Sequence, residues 1–352
     1  MSNYHLDSSM KYVNMTRDIL DELPRFLQDY FRAIAPRTEA RTRYGYATDL
    51  KNFMEFLRNT NPELRGNALD EITLDQFASI EASDIEEYLE YATLYQDGRS
   101  MVRQNRESGL SRKLSCLRSV YKYYVRHKEY PQVKYNPAEA VLMPKHHKKD
   151  IIFMDSEEIR DFLTYVSNYE KILEKENPHK LAYYKKTKYR DIAIITLILG
   201  TGIRVSECVG LNIKDVDFRR HSIIVTRKGG KVQNLYFNED VEQALKDYIE
   251  IERTPLAEKA ADESPLFYSI QKKRLGVKSI ENMVKKYAEE AIPLKKITAH
   301  KLRASYATEL YENSGDLYLT AEALGHSSMN TTKVYANMSE SRRRLAPKYI
   351  KH

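Results

Sequence analysis

Residues 191–207, DIAIITLILGTGIRVSE, decide how the chain is read. From Asp191 to Leu199 the run is apolar on nearly every face and long enough for a helix, so it predicts a helix buried in the middle of a domain. Gly200-Thr-Gly202 ends that helix and a second begins at once, with Arg204 in its first turn. A guanidinium is thereby anchored close to the domain interior. Its simplest partner is Glu207, three residues on and on the same helical face.

Outward from this centre, 222–227 and 231–237 are β-branched or aromatic runs separated by Lys228-Gly-Gly230, which signals a hairpin with a tight turn. Asn238 caps a helix from Glu239 to about Ile251, and further helices are expected near 278–290, 300–313 and 317–325. Asp155-Ser-Glu-Glu158 caps the helix that opens this region. The second domain, 151–340, is therefore expected to be mostly helical with one small antiparallel sheet.

Before it, 136–150 reads as a linker, bracketed by Pro137 and Pro144 and closed by the basic run Lys145-His-His-Lys-Lys149. His146 and His147 lack the Cys, Asp or Glu neighbours a metal site needs. Residues 1–135 form an all-helical unit. Its helices run over 17–35, interrupted at Pro24; from Thr38, with Tyr46, Leu50, Phe53 and Leu57 on one face; from the capping box Ser83-Asp-Ile-Glu86; and from about Ser111. In the last, Leu110, Leu114, Leu117, Tyr121 and Tyr124 share a face, while Arg112, Lys113, Ser115, Arg118 and Ser119 take the opposite one.

The chain has 352 residues, with 57 Lys and Arg against 50 Asp and Glu and a formal charge of +7, which favours polyanionic partners. No apolar stretch approaches the roughly 18 residues that span a bilayer. MSNYHLDSSMKY at 1–12 lacks a basic segment followed by an apolar one, so no secretory signal and a cytoplasmic location are expected. Cys116 and Cys208 lie inside amphipathic segments and read as reduced, buried thiols rather than a disulfide framework or metal site. There are 27 Tyr, 10 Phe and no Trp, so tyrosine supplies most of the large side chains.

Two further segments place chemistry beside a turn. In Thr298-Ala-His-Lys-Leu-Arg303, His300 and Arg303 share a helical face at a helix start, where a phosphate would meet free backbone N–H groups as well as both side chains. In Leu324-Gly-His-Ser-Ser328, His326 follows a glycine at a helix end, and Tyr335 comes nine residues later on a short helix. Taken singly, each has a bland alternative: a common H-x-x-R, a capping histidine, one more core tyrosine. Together, two arginines, two histidines and the hairpin Lys228 would surround one phosphodiester, leaving a tyrosine as the strong candidate nucleophile. An unperturbed phenol is phenolate in only about one molecule in a thousand at neutral pH. Neighbouring guanidinium groups would favour that phenolate and the transition-state charge. No metal or other cofactor is called for.

The set GTGIRVSE, RKGGK, HKLR, LGHSS and the following tyrosine resembles, in order and spacing, the catalytic signature of the tyrosine recombinases of the phage integrase family. The resemblance is strong over about 150–345. More loosely, SRKLSCLRSVYKYY at 111–124 is similar to the helical, SAM-like core-binding domain of Xer-type recombinases. The resemblance implies that Tyr335 attacks the scissile phosphate to form a 3′-phosphotyrosyl link. Arg204, Arg303 and His326 would hold the non-bridging oxygens, Lys228 would protonate the departing 5′-oxygen, and His300 would orient or deprotonate the nucleophile. A Holliday junction would be the intermediate of strand exchange.

Partners implied are double-stranded DNA with inverted half-sites, clamped between the two domains, and either further copies of the chain, four in the synapse, or a related second recombinase; no membrane is involved. Arg112, Lys113, Ser115, Arg118, Lys145 and Lys148 are the candidate DNA-binding residues. The tail 341–352, with Leu345, Tyr349 and Ile350, is expected to dock on a neighbouring protomer. The sequence departs from the family at Ala304, where many relatives carry histidine, and at Ser305-Tyr306, which points to altered packing. With no arm-binding domain evident before residue 17, a role in resolving chromosome dimers is expected. The alternatives are a mobile-element integrase, a type IB topoisomerase-like enzyme that nicks and closes one duplex, and a non-catalytic DNA-binding protein on the same fold.

Overall fold

A computed structural model describes residues 3–96, 101–145, 151–176, 178–227, 230–326 and 328–336. Lys148, Lys228 and the tail 341–352 lie outside these. The chain divides into two compact units, Ser2–Lys148 and Lys149–His352.

The first unit contains α1 (Asn3–Leu20), α2 (Phe26–Ile34), α3 (Ala40–Thr60), α4 (Leu74–Ala78), α5 (Ala82–Thr93), β1 (Leu94–Gln96), β2 (Val102–Gln104), α6 (Glu107–Arg126) and α7 (Pro137–Ala140). The face predicted for α3 is the one it buries, and Leu50, Phe53 and Leu57 meet Leu114, Leu117, Tyr121 and Tyr124 of α6 in one core. Tyrosine does here what tryptophan often does elsewhere. The Tyr121 ring stacks on Phe77 at 4.3 Å and its hydroxyl donates to the Phe77 carbonyl at 3.0 Å, while Tyr124 donates to the Phe26 carbonyl at 2.6 Å. A large ring is thus buried with its polar tip satisfied.

The structure changes several expectations in this unit. A helix also covers 3–16, and β1 and β2 pair as an antiparallel hairpin that the sequence did not announce. Helix α5 is capped at Glu81, two residues before the expected Ser83, and Asp84 in its first turn reaches back, its carboxylate accepting from the Glu81 N–H at 2.8 Å. The linker begins later than Asn136, because α7 packs into this core with Ala138 and Val141 buried. Asn136 caps α7, accepting from the Ala138 N–H at 3.1 Å.

The polar stripe of α6 is also not a free cationic face. Lys113 is buried, with its ammonium 3.2 Å from the buried Asp49 carboxylate and 3.4 Å from the Tyr88 hydroxyl. Arg112 reaches the other Asp49 oxygen and the Gly45 carbonyl. Arg118 is spent on the carbonyls of Ala138 and Val141, at 2.9 and 2.6 Å, and Ser115 bonds the Ser111 carbonyl at 2.7 Å. Lys113 is therefore withdrawn as a DNA contact: a buried carboxylate needs its counter-ion more than solvent needs the lysine.

The second unit comprises α8 (Ser156–Glu176), α9 (Pro178–Lys185), α10 (Lys188–Thr201), α11 (Val205–Gly210), β3 (Val216–Asp217), β4 (Ser222–Thr226), β5 (Val232–Tyr236), α12 (Glu239–Tyr248), α13 (Thr254–Ala257), α14 (Val277–Ala291), α15 (Ala299–Ser314), α16 (Leu317–Leu324) and α17 (Lys333–Ala336). The strands form one antiparallel sheet in the order β3-β4-β5, with β4 and β5 as the predicted hairpin. Helix α10 is the hub, packed against α8, α12, α14 and α15. It can approach α12 closely because residue 200 is glycine: a Cβ there would stand 2.4 Å from Val241 Cγ2. The capping predictions at Asp155 and Asn238 hold, since Asp155 Oδ1 accepts from the N–H groups of Glu157 and Glu158 and Asn238 accepts from that of Val241. Cys116 and Cys208 are both buried free thiols. Among the described residues no helix is long and apolar enough to cross a membrane.

Replacing Lys113 by Met should lower stability to urea by about 3 kcal/mol, because it strands a buried carboxylate beside a single remaining cation. The same variant should leave the salt dependence of DNA binding unchanged. A fall of about one in the log–log salt slope would instead make Lys113 a phosphate contact.

Candidate active site

Helix α10 ends in a left-handed turn at Gly202, φ 62°. The turn closes under the Tyr306 ring, and a Cβ on residue 202 would lie 2.4 Å from Tyr306 Cδ1. It delivers Arg204 to the cap of α11, where Glu207 accepts from the Arg204 N–H at 3.1 Å and from its Nη1 at 2.7 Å. The pairing the sequence suggested is real, yet the Arg204 side chain keeps 37% of its surface exposed above a Glu207 that has only 5%. The carboxylate is the support and the guanidinium is the open face.

Helix α15 carries an exposed His300 in its first turn and Arg303 in the interior, 3% exposed. Arg303 Nη1 donates to the Gly202 carbonyl and Nη2 to the Leu324 carbonyl at 2.6 Å, so one side chain ties together the ends of α10 and α16. Burial, followed by the Arg204 charge, pushes its pKa down to about 10. The family departures are packing features. Ala304 forms a small apolar cluster with Ala307, Leu324 and Tyr335, and the Ser305 hydroxyl accepts from the Met154 N–H at 2.8 Å.

Helix α16 ends at Gly325, φ 58°, and His326 then turns back with its N–H on the Ala321 carbonyl at 2.9 Å. His326 Nδ1 is 2.9 Å from the hydroxyl of the fully buried Thr332, whose own carbonyl accepts from the Tyr335 N–H at 3.0 Å. Thr332 thus fixes both the imidazole and the start of the turn that presents Tyr335. The Tyr335 side chain is buried, and burial raises its pKa although Arg303 works against the rise. Burial and then the charges of Arg303, Arg204 and Arg227 push the His326 pKa down to about 4. His300 is lowered too, by desolvation and by Arg303, Lys301 and Arg204.

Five of the six residues singled out as catalytic, Arg204, His300, Arg303, His326 and Tyr335, are therefore gathered around the ends of α10, α15 and α16. The sixth, Lys228, lies outside the described residues. At Tyr335 burial outweighs the guanidinium group, so the free site holds a neutral phenol and neutral imidazoles beside the arginines. Among the described residues no group of three or more His, Cys, Asp or Glu side chains is placed to hold a metal ion. Of the candidate DNA contacts outside this cluster, Lys145 is exposed.

Three supporting residues were missed by sequence reasoning. Thr332 carries no sequence signal of its own. Gln233 and Arg227 project from the hairpin to the end of α16, where Gln233 Nε2 meets the Glu322 carbonyl at 3.0 Å and Arg227 meets those of Leu324 and Ala323 at 2.6 and 3.1 Å. Arg227 was legible in principle, since it continues the inward alternation Ile223, Val225 of a two-residue period.

Residues 154–342 match the family model described as "Phage integrase family". The tyrosine recombinase XerC of Caldanaerobacter subterraneus subsp. tengcongensis is 30% identical over 332 residues, covering 92% of this chain and 85% of the relative. XerS of Streptococcus mutans is 31% identical over 346 residues, covering 91% and 94%. Among solved structures, the fold is similar to that of the XerH site-specific recombinase bound to a palindromic difH substrate, with TM-score 0.65, 22% identity and coverage of 88% of this chain and 80% of that one. It is also similar to that of the Tn1549 transposon integrase bound to a circular intermediate DNA, with TM-score 0.62, 20% identity and coverage of 92% and 98%. Family match, full-length relatives and converged site agree that this chain belongs to the phage integrase family, as a site-specific tyrosine recombinase of the Xer type.

Proposed function

We propose that the chain recombines duplex DNA at sites built of inverted half-sites, with Tyr335 as nucleophile, and that it does so in the cytoplasm to resolve chromosome dimers. The observation that carries the chemistry is the excess of positive charge, two guanidinium groups buried and a third partly open. Arg204 and Arg227 both face one carboxylate, Glu207, and Arg227 and Arg303 are held largely by backbone carbonyls. Carbonyls orient guanidinium groups without neutralising them, so the cluster is completed by an anion such as a phosphodiester.

In the cleavage step the Tyr335 hydroxyl oxygen bonds to phosphorus, its proton passes to a neutral imidazole, with His300 assigned that part, and the 5′-oxygen leaves with a proton from Lys228. Arg204, Arg303 and His326 hold the non-bridging oxygens as the phosphorus becomes five-coordinate. The phosphotyrosyl bond keeps the energy of the one broken, so a 5′-hydroxyl from the partner strand restores the phosphodiester without a nucleotide cofactor. Exchange between two duplexes requires several active sites, which further copies of the chain or a related recombinase supply. The chromosomal role is supported by likeness to XerC and XerS over both units of the chain.

A duplex nicked beside the cleavage point, from which the short leaving strand diffuses away, should trap a covalent protein–DNA adduct with the wild type and none with Tyr335→Phe. Equal adduct from both proteins contradicts the assignment. Arg303→Ala should slow adduct formation by about 100- to 1,000-fold, the usual effect of losing one preorganised oxyanion donor.

The imidazoles give a pH prediction. With its folded pKa near 4, the His326 ring should stay neutral from pH 7.5 to 5.5 in DNA-free protein, as read by ring NMR. Because that pKa lies below the unfolded value of about 6.5, the unfolded chain takes the proton first, and this residue erodes stability as pH falls from about 6.5 towards 4. Titration of His326 near 6.5 contradicts the electrostatic picture.

A further inference from the structure

The last carbonyls of a helix have no partner within it and must be satisfied from outside. At the end of α16 the N–H groups of Gly325 and His326 meet the carbonyls of Glu322 and Ala321, and the rest of the satisfaction comes from the β4–β5 hairpin. Arg227, immediately after β4, and Gln233, in β5, donate to three successive carbonyls, those of Glu322, Leu324 and, through a second Arg227 nitrogen, Ala323. The hairpin base is itself fixed there, since the Arg227 N–H donates to the Lys231 carbonyl at 2.7 Å and the Gly230 N–H to the Arg227 carbonyl at 3.0 Å.

Arg227 does more than cap. The Leu324 carbonyl it holds is the one that also accepts from Arg303. Its Nη1 stands 3.7 Å from Glu207 Oε2, the carboxylate that supports Arg204. The next residue after Leu324 is Gly325, where a Cβ would fall 2.7 Å from Arg227 Cζ, and His326 follows directly. Arg204, Arg303 and His326 are thus each linked to Arg227 through a single intermediary.

An ordinary structural arginine would be expected to saturate its donors. Arg227 is 7% exposed, and its buried Nε has no hydrogen-bond partner among the described residues. Burial lowers its pKa, Glu207 works against the fall, and Arg204 adds to it. A buried cation held at that cost, beside two others, adds to the positive potential where an anion is to be bound.

We infer that Arg227 is a positioning residue of the active site, which sets Arg303 and the His326 turn in register with the hairpin and adds, beside Arg303, a second buried positive charge behind the phosphate. The inference rests on the phosphotyrosyl reading of the site.

The test uses full-length protein and the nicked duplex in two forms, one with the ordinary scissile phosphodiester and one with a methylphosphonate, in which a methyl group replaces one non-bridging oxygen and removes the negative charge. Arg227→Met keeps the bulk but removes charge and donors. It should form adduct about 100-fold more slowly than wild type on the phosphodiester, with DNA affinity retained, and its deficit should shrink at least about tenfold on the methylphosphonate. Arg227→Lys, which keeps the charge and loses the fork, should fall between the two. A deficit of equal size on both substrates would reduce Arg227 to a structural cap, and adduct formation at the wild-type rate would overturn its role altogether. If Arg227→Met does not fold, Arg227→Gln, which keeps an amide donor and loses the charge, decides instead: it must lose rate on the phosphodiester and regain it on the methylphosphonate. Wild-type protein that forms no adduct refutes the phosphotyrosyl reading and this inference with it, whereas an active wild type with an equally active variant refutes only the latter.

Discussion

The carbonyl of Leu324 is the point on which the site depends. It is the last carbonyl of α16, it has no helical partner, and two guanidinium groups meet on it, Arg303 from α15 and Arg227 from the hairpin. Arg303 reaches from there to the Gly202 carbonyl at the end of the buried helix α10. Three chain segments far apart in sequence are therefore drawn to one place by donors that the backbone cannot supply for itself. Helix C-termini carry partial negative charge, so cations are favoured there even without a carboxylate. The arrangement holds the arginines still while leaving their charge available to a ligand.

The electrostatics of the free protein follow from that choice. One buried carboxylate among three guanidinium groups leaves the pocket positive, and the rings within it respond by staying neutral. His326 cannot readily become an imidazolium beside Arg303, Arg204 and Arg227, and its Nδ1 is fixed by Thr332. Tyr335 remains a phenol because its burial weighs more than the one nearby guanidinium. A phosphate entering this pocket supplies the missing negative charge, and the same field then favours loss of the phenolic proton. Preorganised donors of this kind do not have to reorganise as the reaction proceeds.

Much of this was legible in the sequence because the chemistry is tied to turns. GTG after an unbroken apolar helix marks the turn before Arg204, LG marks the one before His326, and KGG marks a hairpin, each through the backbone freedom of glycine. What was not legible depends on distant partners. The stripe of α6 looked like a DNA-facing surface until Asp49, 64 residues earlier, proved to own Lys113. Asn136-Pro137 looked like a linker because its burial against Arg118 and the α6 core is a tertiary fact. Arg227 was overlooked beside Lys228, since a cation on an inward strand position acquires meaning only when the carbonyls it faces are known.

The tyrosines state the central claim most sharply. Most of those that the structure buries have a hydroxyl on a carbonyl or carboxylate and behave as core rings, as Tyr121, Tyr124 and Tyr184 do. Tyr306 is the closest competitor, packed over Gly202 and with a pKa that burial raises and Arg303 and Arg227 lower. Digesting the trapped adduct with protease and nuclease and locating the nucleotide by mass spectrometry separates the two. The account predicts a 3′-phosphonucleotide on the peptide containing Tyr335, and a nucleotide on Tyr306, or on any other tyrosine, would contradict it.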